Sequence, residues 1–217
     1  MSGQNRITRR RFLGLLGGAV GAMALGCCGL TVLGTRSPKV EPKRSSCGAG
    51  GKILVAYASK AGSTGEVAEA VGQALCAGGV AVDVKPAREV ADLDGYGAVV
   101  VGSAVRMGQW LPEATEFVKT HQAALSRVPA AYFLCCGTLR EDTEDIRREA
   151  ASWLDPVRKM VEPVSEGLFA GKIDYSKLSF LDRSILQMLG AAEGDWRDWE
   201  AVRAWAADLR SALVVGR

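Results

Sequence analysis

The feature that most constrains the fold is a regular alternation of short apolar, β-branched runs with helical patterns. Apolar runs of this length, without polar alternation, are typical of strands buried on both faces of a sheet. The runs predict strands over Ile53–Ala58, Val80–Val84, Ala98–Val101 and Ala130–Cys135, with a weaker one at Val164–Ala170. Helical patterns predict helices over Ser63–Ala77, Pro112–Leu125, Asp142–Met160, Leu178–Leu189 and Trp199–Leu213. This alternation predicts an α/β fold, a parallel sheet with helices on both faces.

The charge of the chain is divided unevenly along its length. Residues 1–50 carry eight Lys or Arg and one Glu, whereas residues 51–217 carry 19 Lys or Arg and 23 Asp or Glu. The net charge is therefore +7 in the first segment and −4 in the second. Because the basic residues are concentrated outside the folding segment, no nucleic-acid partner is expected.

The N-terminal segment has the composition of an export signal. The sequence TRRRFL, residues 8–13, opens an uncharged run over residues 12–34 that contains seven glycines. A charged start, an apolar stretch and small residues near its end are the parts of a signal peptide. Arginines before Phe-Leu resemble the twin-arginine type. Residues 1–34 are therefore predicted to direct the chain to the periplasm or the outer face of the cytoplasmic membrane.

Three fates of this leader remain open. Ala22-Met23-Ala24 fits a cleavage site for soluble export. The residues before Cys27 resemble a lipoprotein box, in which Cys27 would carry a lipid. Left uncut, the 23 uncharged residues would reach about 34 Å as a helix, enough to anchor the chain in a bilayer. Residues 35–51, rich in Pro, Ser, Gly and basic side chains, predict a flexible linker to a domain over residues 52–217.

The six cysteines show no metal-binding spacing, because no CxxC occurs, and no metal site is predicted. Cys76 falls in a predicted helix, and Cys135 and Cys136 end a predicted strand, which favours buried apolar roles for all three. A disulfide is compatible with an oxidising compartment, but the sequence does not single out a pair.

The loop after the first predicted strand has the properties of an anion site. Ligands of open α/β sheets bind outside the carboxyl ends of the strands. Here SKAGST, residues 59–64, leads directly into a helix, whose free N–H groups and partial positive charge suit an anion. Gly62 permits a positive φ and a close backbone approach. The loop matches neither nucleotide-binding glycine motif, and a plain turn with Ser63 as N-cap remains the alternative.

Two neighbouring loops offer surfaces for a planar ligand. Residues 102–110, GSAVRMGQW, combine glycines with Met107 and Trp110. Trp110 would either cover a flat ligand or pack beneath the following helix, and Arg106 would either be solvated or contact an anionic substrate. After the fourth strand, residues 137–139 precede an acid-rich segment. An anion site beside such loops suits a mononucleotide with a flat ring.

Four segments resemble the flavodoxin-like fold and, within it, the menaquinone-dependent protoporphyrinogen oxidase family: YASKAGSTGEVA, YGAVVVGSAVRMGQWLPEATEFVKTH, AGKIDYSKLSFLDR and WRDWEAVRAWAADL. The resemblance covers nearly all of residues 52–213 in order. It implies a three-layer sandwich with a five-stranded parallel sheet in the order 2-1-3-4-5, binding FMN. The residues that would hold the phosphate are Ser59, Lys60, Gly62, Ser63 and Thr64. Those that would flank the isoalloxazine ring are Ser103, Ala104, Val105, Arg106, Met107, Gly108, Trp110, Gly137, Thr138 and Leu139.

Together, the leader and the resemblance predict an exported, membrane-associated FMN oxidoreductase that is quinone-linked and protoporphyrinogen-oxidase-like. One alternative is a non-enzymatic FMN electron carrier for a partner protein, favoured by the acidic balance of residues 51–217. Another is a flavodoxin-like binding domain that has lost FMN, favoured by Ala61, where flavodoxins carry threonine. No catalytic residue is assigned, since the single histidine, His121, fits an exposed helix end. The late tryptophans fit packing of the last helix against the sheet: Trp196, Trp199 and Trp205.

Overall fold

Strands and helices alternate along the chain, as the sequence predicts. The computed structural model describes residues 44–45, 52–77, 79–188 and 190–214. The strands are β1 (Arg44–Ser45), β2 (Lys52–Ala58), β3 (Val82–Pro86), β4 (Tyr96–Arg106), β5 (Gln109–Trp110), β6 (Ala130–Cys136), β7 (Ser165–Ala170), β8 (Lys172–Ile173) and β9 (Gly194–Asp195). The helices are α1 (Ser63–Cys76), α2 (Pro112–Thr120), α3 (Gln122–Leu125), α4 (Glu144–Ser152), α5 (Asp155–Arg158), α6 (Phe180–Met188) and α7 (Trp199–Val214). Short 3₁₀ turns cover Ala87–Glu89, Gly137–Arg140 and Tyr175–Lys177.

The main sheet runs in the order β1-β3-β2-β4-β6-β7, with β5 paired to β4. Five of these strands are parallel to one another: β3, β2, β4, β6 and β7. The five predicted strands correspond, in chain order, to β2, β3, β4, β6 and β7, so the predicted order 2-1-3-4-5 is confirmed. The strand count is higher than predicted, because β1 pairs antiparallel with β3 and β5 pairs antiparallel with the end of β4. Two residues of the segment predicted as a linker, Arg44 and Ser45, thus form an edge strand.

The sheet is buried on both faces. In β2 every residue after Lys52 is buried, as expected for a continuous apolar run in a parallel sheet. One face packs against α2 to α5 and the other against α1 and α7. On the second face Trp205 of α7 meets Phe133 and Phe169, with ring centroids 5.5 to 6.1 Å apart. Packing of the last helix against the sheet by Trp205 is therefore confirmed.

Two predicted helices are interrupted. The first breaks at His121, whose φ of −100° and ψ of 15° separate α2 from α3. The His121 ring is half-buried against Phe117, with centroids 4.8 Å apart, so it is less exposed than expected. The second begins at Glu144, where the Thr143 hydroxyl accepts a hydrogen bond from the Ile146 N–H. This predicted helix, Asp142–Met160, is split into α4 and α5, because Pro156 lacks the N–H that a continuous helix requires.

A small subdomain separates β7 from α7 at the carboxyl edge of the sheet. It contains β8, α6 and β9, and β8 pairs antiparallel with β9. The Gly171 N–H donates to the Cys136 carbonyl at 2.9 Å, and the Trp196 N–H donates to the Gly171 carbonyl at 3.2 Å. These bonds fix the subdomain to the end of β6.

No helix in the described ranges is both long and apolar enough to cross a bilayer. The predicted signal over residues 1–34, including Cys27, lies outside the described residues.

Candidate functional site

The carboxyl ends of β2, β4 and β6 lie side by side. Ala58 pairs with Ser103, and Ala104 pairs with Cys135. The three loops singled out in the sequence follow these strands, so the structure brings the predicted site residues to one edge of the sheet.

The first loop turns the chain from β2 into α1. Gly62 has φ +90°, and the space next to its α-carbon is open. The Gly62 N–H donates to Ser59 Oγ at 3.0 Å, which holds the turn. Gly62, and not Ser63, is the N-cap, and no side chain caps this N-terminus. The first-turn N–H groups, on Ser63, Thr64 and Gly65, therefore have no partner within the helix.

Thr64 supplies a second, independent feature of an anion site. Its side chain is 0% exposed, and its hydroxyl forms no hydrogen bond of normal geometry in the part of the chain that the structure describes, its nearest polar neighbour being the buried Cys135 thiol, a weak hydrogen-bonding group. Leaving a buried hydroxyl without a partner costs about 1–3 kcal/mol. A ligand oxygen at the start of α1 would satisfy this hydroxyl together with the free N–H groups. The exposed Lys60 adds a positive charge to the same loop.

The second loop is a tight turn between β4 and β5. Met107, at φ 52°, and Gly108, at φ 72°, form its tip, and the Met107 side chain is 78% exposed. Arg106 forms an ion pair with Asp182 of α6. The Ser103 hydroxyl donates to the Ala104 carbonyl at 2.8 Å and accepts from the Leu111 N–H at 3.0 Å. Ser103 therefore shapes this loop with its hydroxyl already occupied.

Trp110 packs beneath α2 and does not present a flat surface. It is 6% exposed and lies edge-to-face against Tyr132, with centroids 5.5 Å apart. Of the two roles left open by the sequence, packing is therefore the one observed. In the third loop Thr138 is exposed, whereas Leu139 is buried in the same core as Trp110. Thr138 can face a ligand at this edge, and the Leu139 side chain cannot.

Three side chains near these loops were missed in the sequence. A Cβ on Gly108 would lie 3.2 Å from Nε1 of Trp153, so this indole lines the tip of the second loop. The Trp196 ring lies 5.7 Å from the Arg140 guanidinium at the third loop, and not against the sheet as Trp205 does. The third, Arg197, reaches the first turn of α1. For Trp196 and Arg197, the sequence feature that could have indicated a role at the site is WRDW, residues 196–199, in which an arginine and two tryptophans lie close together.

The cysteines divide into two groups. Cys135 and Cys136 are buried and free, which confirms the predicted apolar role. Burial raises the pKa of the Cys135 thiol to about 12, so it stays protonated at neutral pH. Cys76 is disulfide-bonded instead. No cluster of potential metal ligands occurs in the described ranges.

Comparison with known proteins identifies the family. The model of the flavodoxin domain family matches residues 54–199. The chain belongs to the flavodoxin domain family. The protoporphyrinogen IX dehydrogenase [quinone] of Leishmania major is 27% identical over 180 residues, covering 73% of this chain and 74% of that protein. The enzyme of the same name from Escherichia coli K12 is 24% identical over 172 residues, covering 73% and 94%. A solved archaeal flavodoxin aligns with a TM-score of 0.47 at 20% identity, covering 75% of this chain and 98% of its own.

Membership of this family implies a flavin cofactor, and the residues at this edge fit one. The uncapped start of α1 and the buried Thr64 hydroxyl suit a phosphate. The turn at Met107 and Gly108 and the loop at Gly137 and Thr138 leave accessible surface at the two neighbouring strand ends.

Proposed function

We propose that this chain binds FMN at the carboxyl edge of its sheet and acts as an oxidoreductase. The observation that carries the proposal is the buried hydroxyl of Thr64, which forms no hydrogen bond of normal geometry in the described residues and lies at the uncapped N-terminus of α1. The phosphate would be held by the N–H groups of the first helical turn and by the Ser59 and Thr64 hydroxyls. The loops at Met107–Gly108 and Gly137–Thr138 would flank the ring. When bound, the flavin supplies the electron-transfer chemistry, while the chain binds and orients it.

Thr64→Val is expected to weaken FMN binding about tenfold, since one charge-assisted hydrogen bond is lost. The same substitution is expected to stabilise the ligand-free protein, because valine fills the site without burying a polar group. Titration of FMN fluorescence and thermal unfolding of the ligand-free protein measure the two effects. Thr115→Val, half-buried on α2, is the matched control and should leave FMN affinity unchanged. Wild-type FMN affinity in Thr64→Val would contradict the phosphate assignment.

We further propose that the electron acceptor is a quinone. Two relatives carry this acceptor in their names. In addition, apolar side chains stand exposed beside the second loop: Met107 at 78%, Phe180 at 82%, Leu181 at 71% and Met188 at 81%. The ion pair of Arg106 with Asp182 ties α6, which carries three of them, to that loop. Such a surface suits an acceptor dissolved in lipid better than a charged protein.

Phe180→Ser combined with Leu181→Ser tests this assignment. The pair is expected to slow reoxidation of the reduced protein by menaquinone in phospholipid vesicles about tenfold, because apolar contact area is lost. Reoxidation by soluble ferricyanide and FMN affinity should stay at wild-type values. Glu116→Ser with Lys119→Ser, exposed on α2, is the control. Unchanged reoxidation by menaquinone would favour the second candidate function, an electron carrier for a partner protein, which the −4 charge of residues 51–217 supports.

Export through the twin-arginine route also belongs to this proposal. The supporting argument is that this route carries folded proteins with their cofactor in place, which suits a chain that binds its flavin without a covalent bond. Changing Arg9, Arg10 and Arg11 together to Lys is expected to retain the protein in the cytoplasm. Fractionation of cells expressing wild type or variant measures the result, and normal export of the variant would exclude this type of signal.

A further inference from the structure

Arg197, in the turn between β9 and α7, is a buried cation next to the first turn of α1. Its side chain is only 4% exposed. Nη1 donates to Oε2 of Glu66 at 2.6 Å and lies 3.5 Å from the Ser63 carbonyl. Nε and Nη2 bind the Asp195 carboxylate at 2.7 and 2.5 Å. The guanidinium also covers the Trp199 ring at 4.4 Å, so every part of the side chain is fixed.

The Asp195 carboxylate and the Arg197 guanidinium stabilise each other's charged forms. The hydrogen bonds from Arg197 hold the pKa of Asp195 below its usual range. The hydrogen bond to Asp195, with that to Glu66, raises the pKa of Arg197. Asp195 and Arg197 are therefore both charged at neutral pH, and the arrangement is rigid because Arg197 binds Asp195 through two nitrogens.

Glu66 presents an electrostatic problem at this position. It lies in the first turn of α1, where the helix dipole attracts a carboxylate as well as a phosphate. An unrestrained Glu66 would therefore compete with an anionic ligand for the N–H groups of Ser63 and Thr64. It would also repel a phosphate through space. Among the described residues, Lys177 also pairs with Glu66, but its Nζ is 3.9 Å away on a side chain that is 41% exposed.

We propose that Arg197 is a positioning residue that holds the Glu66 carboxylate away from the anion site and keeps that site selective for a phosphate-bearing ligand. This inference rests on the proposed function, because the ligand concerned is the phosphate of FMN. Arg197 acts through Glu66 and through the Ser63 carbonyl, and it does so from a segment 131 residues away in the sequence from Glu66.

The ratio of FMN affinity to riboflavin affinity tests the role of Arg197, because riboflavin lacks the phosphate. In Arg197→Met we expect FMN binding to weaken at least tenfold, as one released charge near the site predicts. Riboflavin binding should change less than about twofold, since the loops around the ring are untouched. Adding Glu66→Gln to Arg197→Met should restore FMN affinity to within about threefold of wild type, because the competing charge is gone.

Further variants separate positioning from folding. Lys177→Met, which removes the weaker partner of Glu66, is the control and should leave the ratio unchanged. Arg197→Lys keeps the charge but not the two-nitrogen contact. Its ratio of FMN affinity to riboflavin affinity should lie between those of wild type and Arg197→Met, and this variant replaces Arg197→Met if the latter does not fold. Equal loss of FMN and riboflavin affinity in the Arg197 variants, or no rescue by Glu66→Gln, would overturn the proposal.

A measurement without flavin distinguishes this proposal from the proposed function. Inorganic phosphate should raise the melting temperature of the wild-type chain relative to chloride at equal ionic strength. Phosphate should not raise the melting temperature of Arg197→Met, and it should raise that of the double variant Arg197→Met with Glu66→Gln. If the phosphate responses follow this pattern but the wild-type chain does not bind FMN, the proposed function is refuted and the role of Arg197 is retained. Equal phosphate responses in all three proteins would refute the Arg197 assignment alone.

Discussion

Ser63→Asp is expected to lower FMN affinity by about 100-fold or more while leaving riboflavin affinity near wild type. Ser63 is the first residue of α1 and is half-buried at the loop that we assign to the phosphate. A carboxylate there would stand within a few ångströms of a group carrying about −2 charge, and the repulsion in a partly buried site is large. Parallel titrations with FMN and riboflavin measure this difference.

The folded state should tolerate Ser63→Asp. An acidic residue in the first turn of a helix interacts favourably with the helix dipole, contributing about 0.3–1 kcal/mol, so the melting temperature of the ligand-free protein should not fall. Ser63→Asn, of the same shape without the charge, is the control and should bind FMN within about threefold of wild type. Equal losses for FMN and riboflavin would show that the loop was distorted and would contradict a purely electrostatic effect.

Gly102→Ala is expected to destabilise the protein by about 3 kcal/mol or more, because overpacking a rigid core is costly. A Cβ at this position would lie 1.9 Å from Cζ and 2.3 Å from Cε1 of Phe133. Gly102 pairs directly with Phe133 on the neighbouring strand. The Phe133 ring cannot move aside, since it is 0% exposed and packs against Phe169 and Trp205. Urea unfolding followed by far-UV circular dichroism measures the loss.

A second substitution identifies the clash. Phe133→Leu removes the ring atoms that the new methyl group would meet, so Gly102→Ala should destabilise the Phe133→Leu protein by less than half as much as wild type. Additive effects of the two substitutions would contradict this explanation and would place the strain of Gly102→Ala elsewhere in the strand.

Much of the candidate site could be predicted because it is built from local sequence. The loop over residues 59–64 joins a buried strand directly to a helix, and both elements have strong local patterns. Gly62 then adopts the positive φ expected of it. Trp110 was ambiguous because a large apolar residue at a strand end can face a ligand or the core. Its contact with Tyr132, 22 residues later, decides the question, and no local pattern encodes that contact.

The α/β class follows from the sequence alone, as do the strand order, through the family resemblance, and the position of the loop that we assign to the phosphate. Hydrophobic periodicity and the residues of one short turn depend only on neighbours along the chain, so these features can be read locally. Three features needed the folded chain: the burial of the Thr64 hydroxyl without a hydrogen bond of normal geometry, the core positions of Trp110 and Leu139, and the contact of Arg197 with Glu66. These depend on which distant segments the sheet brings to its carboxyl edge, because burial and charge pairing are set by three-dimensional neighbours.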